Sequence, residues 1–175
     1  MKSMTFDKKL AGGFLSLICF LVASRVIPHP PNFTPVLAVA VFAPYFARDL
    51  WVAIALPIVA MVLADVIIGL HSSMVWVYGA VAASVVMSHI LRRTSAVLPR
   101  IGGLALASSA LFFITTNFGV WLGSGFYPLT AEGLMACYVA ALPFFGNTLA
   151  STLVFSGLFY GIMRMAGQHT KFARA

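Results

Sequence analysis

The chain alternates between long apolar stretches and short segments that contain charged, Pro or Gly residues. Four stretches, 26–47, 66–91, 101–131 and 133–163, contain no Asp, Glu, Lys or Arg. Each is long enough to cross a bilayer, which requires about 20 apolar residues. Together with the polar and Pro/Gly interruptions, the pattern predicts six transmembrane helices. They cover about residues 10–27, 35–47, 50–70, 74–91, 101–122 and 143–165.

Two of these helices carry irregularities. Residues 35–47 form a stretch of only about 20 Å at 1.5 Å per residue, shorter than a hydrocarbon core of about 30 Å, and Pro44 lies inside it. Residues 134–165 would form one helix of about 48 Å, too long for a single crossing. Because Pro143 removes a backbone donor, we expect a break there, with residues 134–142 as a separate outer half-helix.

Composition excludes a water-soluble globular protein. Of the 175 residues, 61% are hydrophobic and 9% are charged, against roughly 45–50% and 25% in a soluble domain. The formal net charge of +7 is not accompanied by a basic stripe, so it does not indicate nucleic-acid binding. The fold class predicted is an all-α integral membrane protein with one membrane domain over residues 1–175.

The basic residues are distributed asymmetrically about the six predicted helices. With six crossings, only Arg25 lies on one side and the other ten lie opposite. Because Lys and Arg accumulate on the cytoplasmic side, this pattern predicts cytoplasmic termini in a bacterial inner membrane. The alternative is that the first 27 residues are a secretory signal. The ten residues are Lys2, Lys8, Lys9, Arg48, Arg92, Arg93, Arg100, Arg164, Lys171 and Arg174.

The three predicted outer loops, 25–35, 69–74 and 122–133, differ from the inner ones in composition. They contain Pro and Gly, which favour defined turns, and carry polar and aromatic side chains. Binding residues often lie on loops held by a rigid scaffold, so function is expected on this side. The side chains of interest are His29, Asn32, His71 and Tyr127.

Asp65 is the most informative single residue, because an ionisable group within a membrane helix is costly and usually has a partner or faces a cavity. It lies near the outer end of the third predicted helix. One interpretation is that Asp65 orients a substrate group or a His ligand. The alternative is a buried carboxylate that caps the loop or pairs with Arg25.

Two pairs of residues at i, i+4 spacing place polar groups on one helix face. Asn117 with Trp121 resembles a lining wall for a planar ligand, and Asn147 with Ser151 forms a second polar face. The alternatives are hydrogen bonding between helices for the amides and an interfacial aromatic position for Trp121.

Catalytic and cofactor motifs are absent from the sequence. It contains neither H-E-x-x-H nor a phosphate-binding Gly loop nor a G-x-S-x-G elbow. His29, His71 and Asp65 have side chains suited to divalent metals, but their spacing is not a metal signature. We therefore predict no enzyme activity, cofactor or metal, and an intramembrane redox or metal-binding protein stays a lesser alternative.

Small residues four apart allow helix backbones to approach closely. Gly12 with Ser16, and Ala43 with Ala47, show this pattern. They serve either internal packing or the docking of another membrane subunit.

Four segments carry a resemblance to known proteins: 25–35 (RVIPHPPNFTP), 64–71 (ADVIIGLH), 116–121 (TNFGVW) and 137–148 (CYVAALPFFGNT). They resemble a family of small, largely uncharacterised bacterial membrane proteins, which is itself similar to the S components, the substrate-binding subunits, of energy-coupling factor transporters. The resemblance implies a six-helix bundle with binding residues on the outer side. The positions implied are Asn32, Asp65, His71, Asn117, Trp121, Tyr127 and Asn147.

The function implied by the resemblance is capture of a vitamin or related micronutrient, with cobalamin as one candidate. The implied partners are a transmembrane coupling protein and two ATPases. S components carry an Ala-xxx-Ala pattern on the first helix for docking, where this chain has Gly12 and Ser16. A solitary transporter is therefore also possible, and the main alternative is a structural or assembly protein without a small-molecule ligand.

Overall fold

The computed structural model describes residues 8–92 and 98–165, with side chains from residue 12 onward in the first helix. This part of the chain is all-helical, as the hydrophobic pattern predicted, and contains six helices. They are α1 Lys8–Val26, α2 Val36–Phe46, α3 Leu50–Ile68, α4 Met74–Leu91, α5 Leu98–Gly123 and α6 Ala131–Met165.

Successive helices run in opposite directions, so the connections divide between two ends of the bundle. The loop end is formed by residues 27–35, 69–73 and 124–130, and the basic end by residues 47–49 with the neighbouring ends of α4 and α5. Of the positively charged residues, Lys2, Arg93, Lys171 and Arg174 lie outside the described residues. Arg48, Arg92 and Arg100 are placed at the basic end, and Arg25 at the loop end.

The short helix α2 is the centre of the bundle. It packs against α3, α4, α5 and α6, and every residue from Val36 to Tyr45 is buried. Eleven residues span roughly 16 Å, so the helix is short, as its sequence indicated, and its neighbours shield it. Its wholly apolar sequence suits burial on all sides, because no face has to meet water.

Side chains at the end of α4 donate hydrogen bonds to carbonyl groups near the C-terminal end of α2 and in the connection that follows it. The last turn of any helix leaves carbonyls without partners inside the helix. Ser88 donates from Oγ to the Val41 carbonyl at 2.5 Å. Arg92 donates to the carbonyls of Pro44 and Arg48 at 2.6 and 3.1 Å. The α4 residues thus close the basic end of α2.

The predicted break at Pro143 is wrong: α6 is one helix from Ala131 to Met165 and contains Pro143. Side chains on both sides of the proline pack on the same part of α5. The Phe113 ring contacts Tyr138 before the proline and Phe145 after it, at centroid distances of 5.5 and 4.9 Å. A continuous helix gives up one hydrogen bond, whereas a break would leave several backbone groups without partners among apolar side chains.

Four helices, α3, α4, α5 and α6, are long and apolar enough to cross a membrane, while the apolar parts of α1 and α2 are shorter. Their outward faces carry large exposed hydrophobic side chains, such as Val75 on α4, which is 79% exposed. Such apolar surface over whole helices is unsuited to water. The chain is a membrane protein by these criteria.

The small residues fall into two groups. Ala43 and Ala47 are buried against neighbouring helices of the same chain, so they serve internal packing. Gly12 and Ser16 are exposed on α1, where the Ser16 hydroxyl donates back to the Gly12 carbonyl at 2.8 Å. Of the predicted docking residues, only this pair lies on the surface.

Candidate functional site

A cavity of about 410 Å³ lies at the loop end of the bundle. All six helices and two of the loops contribute to its wall. The apolar part consists of Val36, Leu37, Met61, Ile68, Val77, Val81 and Phe112. The polar part consists of Arg25, His29, Asn32, Thr34, His71, Ser73, Thr148, Ser151 and Thr152.

Arg25 is the charged side chain of this wall. It forms an ion pair with Asp65, which lies outside the wall. Its Nη2 donates to Asp65 Oδ1 at 2.5 Å, and Tyr78 donates its hydroxyl to Asp65 Oδ2 at 2.6 Å. Asp65 is 1% exposed and Arg25 is 17% exposed. The three side chains join α1, α3 and α4 immediately beside the cavity.

The hydrogen bonds of Asp65 decide between the two interpretations of its sequence position. Both of its oxygens have partners within the chain, and Asp65 is not part of the cavity wall. Of the two interpretations, the structure therefore bears out the alternative, in which Asp65 is a buried carboxylate that pairs with Arg25. Its effect on the cavity is indirect, because it fixes the guanidinium that lines the wall.

The Pro-rich loop, residues 27–35, is fastened to the middle of α6. Asn147 donates from Nδ2 to the Pro31 carbonyl at 3.0 Å. The single proton of the Ser151 hydroxyl is shared between the Thr148 carbonyl at 3.0 Å and the Asn32 carbonyl at 3.4 Å. The Phe33 ring contacts Phe155 at a centroid distance of 6.1 Å. The loop therefore lies against the bundle and forms one side of the cavity.

Asn32 adopts a left-handed backbone conformation, with φ of 62°. Asn tolerates this conformation better than most residues because its short polar side chain bonds locally. The turn lets the chain pass from the loop into α2, and it exposes the Asn32 carbonyl to Ser151. Asn32 thus shapes the wall through its backbone as well as lining it.

The two histidines of the wall belong to exposed loops. His29 Nδ1 lies 2.8 Å from the Pro30 carbonyl, and His71 Nδ1 lies 2.9 Å from Ser73 Oγ. These contacts use one ring nitrogen of each residue. The second nitrogen of either ring has no hydrogen bond to the described residues, so it is available to a ligand.

Helix α6 contributes a row of hydroxyl groups. Thr148 and Thr152 donate to the carbonyls of Phe144 and Thr148, four residues earlier, at 3.0 and 2.7 Å. Because each hydroxyl proton is used within the helix, the oxygens present lone pairs. This part of the wall therefore favours hydrogen-bond donors on a ligand.

The predicted site residues divide into two groups. His29, Asn32 and His71 line the cavity, and Asn147 supports it through Pro31. Asn117, Trp121 and Tyr127 belong to the hairpin of α5, α6 and residues 124–130 and are not in the wall. There, Asn117 Nδ2 donates to the Phe113 carbonyl at 2.7 Å, and Trp121 Nε1 to the Pro128 carbonyl at 3.0 Å.

Several wall residues were not selected from the sequence. Thr148, Ser151 and Thr152 stand at positions i, i+3 and i+4 and therefore share one helix face. Once Ser151 is assigned to a site, this spacing predicts that the two threonines belong to it as well. Arg25 was selected only as a partner for Asp65, although it is the single basic residue on the predicted outer side of the six helices. Tyr78, which supports the wall through Asp65, was not selected either, because a bond between side chains of α3 and α4 has no local sequence signal.

Metal-binding geometry is not found within residues 8–92 and 98–165, where no three His, Cys, Asp or Glu residues are grouped so that they could hold an ion. Cys137 is buried, and its Sγ lies 3.4 Å from the Asn117 carbonyl, whereas Cys19 is exposed on α1. His169 lies outside the described residues.

Comparison with known proteins identifies a family without assigning an activity. Neither the curated proteins nor the solved structures include a match to this chain. Residues 8–174 match DUF6580, described as a family of unknown function, and the chain therefore belongs to that family.

Proposed function

We propose that the chain crosses a bacterial inner membrane six times, with its termini in the cytoplasm and its loop end outside. The basic residues support this orientation: ten of eleven fall on one side of the six helices. Helix α2 is too short to cross alone, but it is shielded by four neighbours. The folded loop of residues 27–35 continues the crossing at the outer end.

Single cysteines at the two ends test this orientation. In a background with Cys19 and Cys137 replaced by Ala, we expect Ser72→Cys to react with a membrane-impermeant maleimide in intact cells. Arg48→Cys is the matched exposed position at the basic end, and it should react only after the cells are lysed. Labelling of Arg48→Cys in intact cells, with Ser72→Cys protected, would contradict the proposed orientation.

The function that the site supports best is capture of a vitamin or related micronutrient for uptake, as a membrane substrate-binding subunit. The cavity carries this proposal: its volume of about 410 Å³ lies within the range of small-molecule sites, roughly 300–1,000 Å³. Its wall combines apolar side chains with a few convergent polar groups, which is the usual composition of such sites. A molecule as large as cobalamin would have to extend beyond this cavity.

The mechanism we propose begins with entry of the substrate from the loop end. The Pro-rich loop then closes over it, and a movement or tilt of the helices releases it inward. A transmembrane coupling protein and two ATPases would supply the energy, docking at the exposed face of α1 that carries Gly12 and Ser16. A transporter that works without these partners would use the same cavity.

A panel of water-soluble vitamins tests the capture function. The purified protein is heated in a non-ionic detergent with thiamine, riboflavin, pyridoxine, biotin, pantothenate or nicotinate added singly. Because a ligand at 100 times its Kd stabilises the folded state by about 2.7 kcal/mol, a true substrate should raise the Tm by several degrees. Equal Tm values with every compound would contradict the proposal.

The main alternative is a structural or assembly protein without a small-molecule ligand. The observation in its favour is that Asp65, Asn117, Trp121 and Asn147 all make hydrogen bonds within the chain. On this alternative, Asn117→Ala and Trp121→Ala lower the Tm, and no compound of the panel binds.

A further inference from the structure

We infer that the molecule bound in this cavity carries a carboxylate, which pairs with the guanidinium of Arg25. The inference rests on the proposed function and specifies its substrate class. It predicts a compact acid with an apolar body, in preference to a neutral or cationic compound. Three features of the wall support it: the donors of Arg25, the position of Asp65, and the groups around them.

Arg25 retains most of its hydrogen-bonding capacity. A guanidinium has five N–H donors, and in the described residues the side chain makes one ion pair, from Nη2 to Asp65. Arg25 lines the cavity, so its remaining donors are within reach of a ligand there. The planar arrangement of these donors matches the two oxygens of a carboxylate.

The acidic residue beside Arg25 does not compete for the ligand's position. Asp65 lies behind the wall, and its two oxygens are occupied by Arg25 and Tyr78. Among the described residues that form the wall, none is acidic. Asp65 and Tyr78 therefore act as positioning residues, which hold the guanidinium in one orientation before the ligand arrives.

The groups around Arg25 complement the rest of such a ligand. His29 donates from Nδ1 to the Pro30 carbonyl, so Nε2 of its neutral ring accepts a hydrogen bond, and the second ring nitrogen of His71 is a further polar group at the loop end. Val77, Val81 and Phe112 provide apolar surface for the body of the ligand. The hydroxyl oxygens of α6 accept hydrogen bonds from its N–H or O–H groups.

Matched pairs of acids and neutral derivatives test the charge requirement. The pairs are biotin with biotinamide, pantothenate with pantothenol, and nicotinate with nicotinamide, each added to the delipidated protein in a non-ionic detergent. We expect at least one acid to raise the Tm while its neutral partner does not. A parallel sample receives phosphatidylglycerol in place of an acid. A Tm shift in that sample would indicate that a lipid headgroup, and not a free acid, supplies the anion.

Two variants assign the effect to Arg25. Arg25→Lys keeps a charge opposite Asp65 but loses the planar donor pair, and the double variant Arg25→Gln/Asp65→Asn replaces both charges with amides of similar shape. In each, we expect the affinity for the acid to fall roughly 10- to 100-fold, as for loss of a charge-assisted hydrogen-bonded pair. Arg48→Gln, which removes an exposed charge at the basic end, should leave the affinity unchanged.

Each other outcome contradicts the inference in a distinct way. Equal shifts by an acid and its neutral partner, equal affinity in the Arg25 variants, or a shift with phosphatidylglycerol alone would overturn it. Binding of thiamine or riboflavin, without binding of any acid, would overturn it but retain the capture function. If no compound of either panel binds, the proposed function fails, and this inference fails with it.

Discussion

Replacing Asp65 with Ala is expected to destabilise the protein by about 3–5 kcal/mol, the usual effect of removing one partner from a buried ion pair. The carboxylate is 1% exposed and accepts hydrogen bonds from Arg25 and Tyr78. Without it, a largely buried guanidinium has no counter-charge, and the connection between α1, α3 and α4 is lost. The free energy of unfolding in mixed detergent micelles measures the effect.

The double variant Arg25→Met/Asp65→Leu is the control for this interpretation. Removing both charges leaves no unpaired ion, so the double variant should be more stable than Asp65→Ala alone. Tyr78→Phe removes one hydrogen bond to the carboxylate and should cost about 1.5–3 kcal/mol. A double variant as unstable as Asp65→Ala would show that the pair does not account for the loss.

Val77→Phe is expected to abolish most ligand capture while the fold is retained. Val77 lines the cavity and is half-buried, so a larger apolar side chain enters space that a ligand would use. If a bound ligand meets the same crowding as an overpacked core, about 1–3 kcal/mol of binding free energy is lost, which corresponds to a loss of affinity of roughly 5- to 150-fold. The Kd for the substrate, obtained from the concentration dependence of the Tm shift, is the measurement.

Val75→Phe is the matched control for that variant. It makes the same change two residues away on α4, at a side chain that is 79% exposed and outside the cavity wall. We expect its affinity to equal that of the unaltered protein. Equal losses in both variants would assign the effect to α4 as a whole and contradict the assignment of the cavity.

Much of the fold could be predicted from the hydrophobic pattern, because apolar runs bounded by Pro, Gly and charged residues define helices directly. The second helix was correctly identified as short, and the structure adds that it is central and shielded by its neighbours. Pro143 was misjudged because its effect depends on packing: Tyr138 and Phe145 both contact α5 and keep the helix continuous. Such contacts between distant residues have no signal in a single sequence.

The candidate site was less predictable than the fold. His29, Asn32 and His71 were found because loops of unusual composition reach one end of the bundle. Asn117 and Trp121 share a helix face as predicted, but that face belongs to a hairpin where both bond to nearby carbonyls. Spacing along one helix shows which residues share a face, and only the packing of six helices shows which faces meet at the cavity.

The central claim is that the cavity holds a small molecule, and the most direct test is chemical extraction of the protein purified from its own membranes. The unaltered protein, Val75→Phe and Val77→Phe are denatured, and the released small molecules are quantified by mass spectrometry. We predict one compound in near-stoichiometric amount from the first two proteins and little from Val77→Phe. Equal amounts from all three, or no compound from any, would contradict the claim.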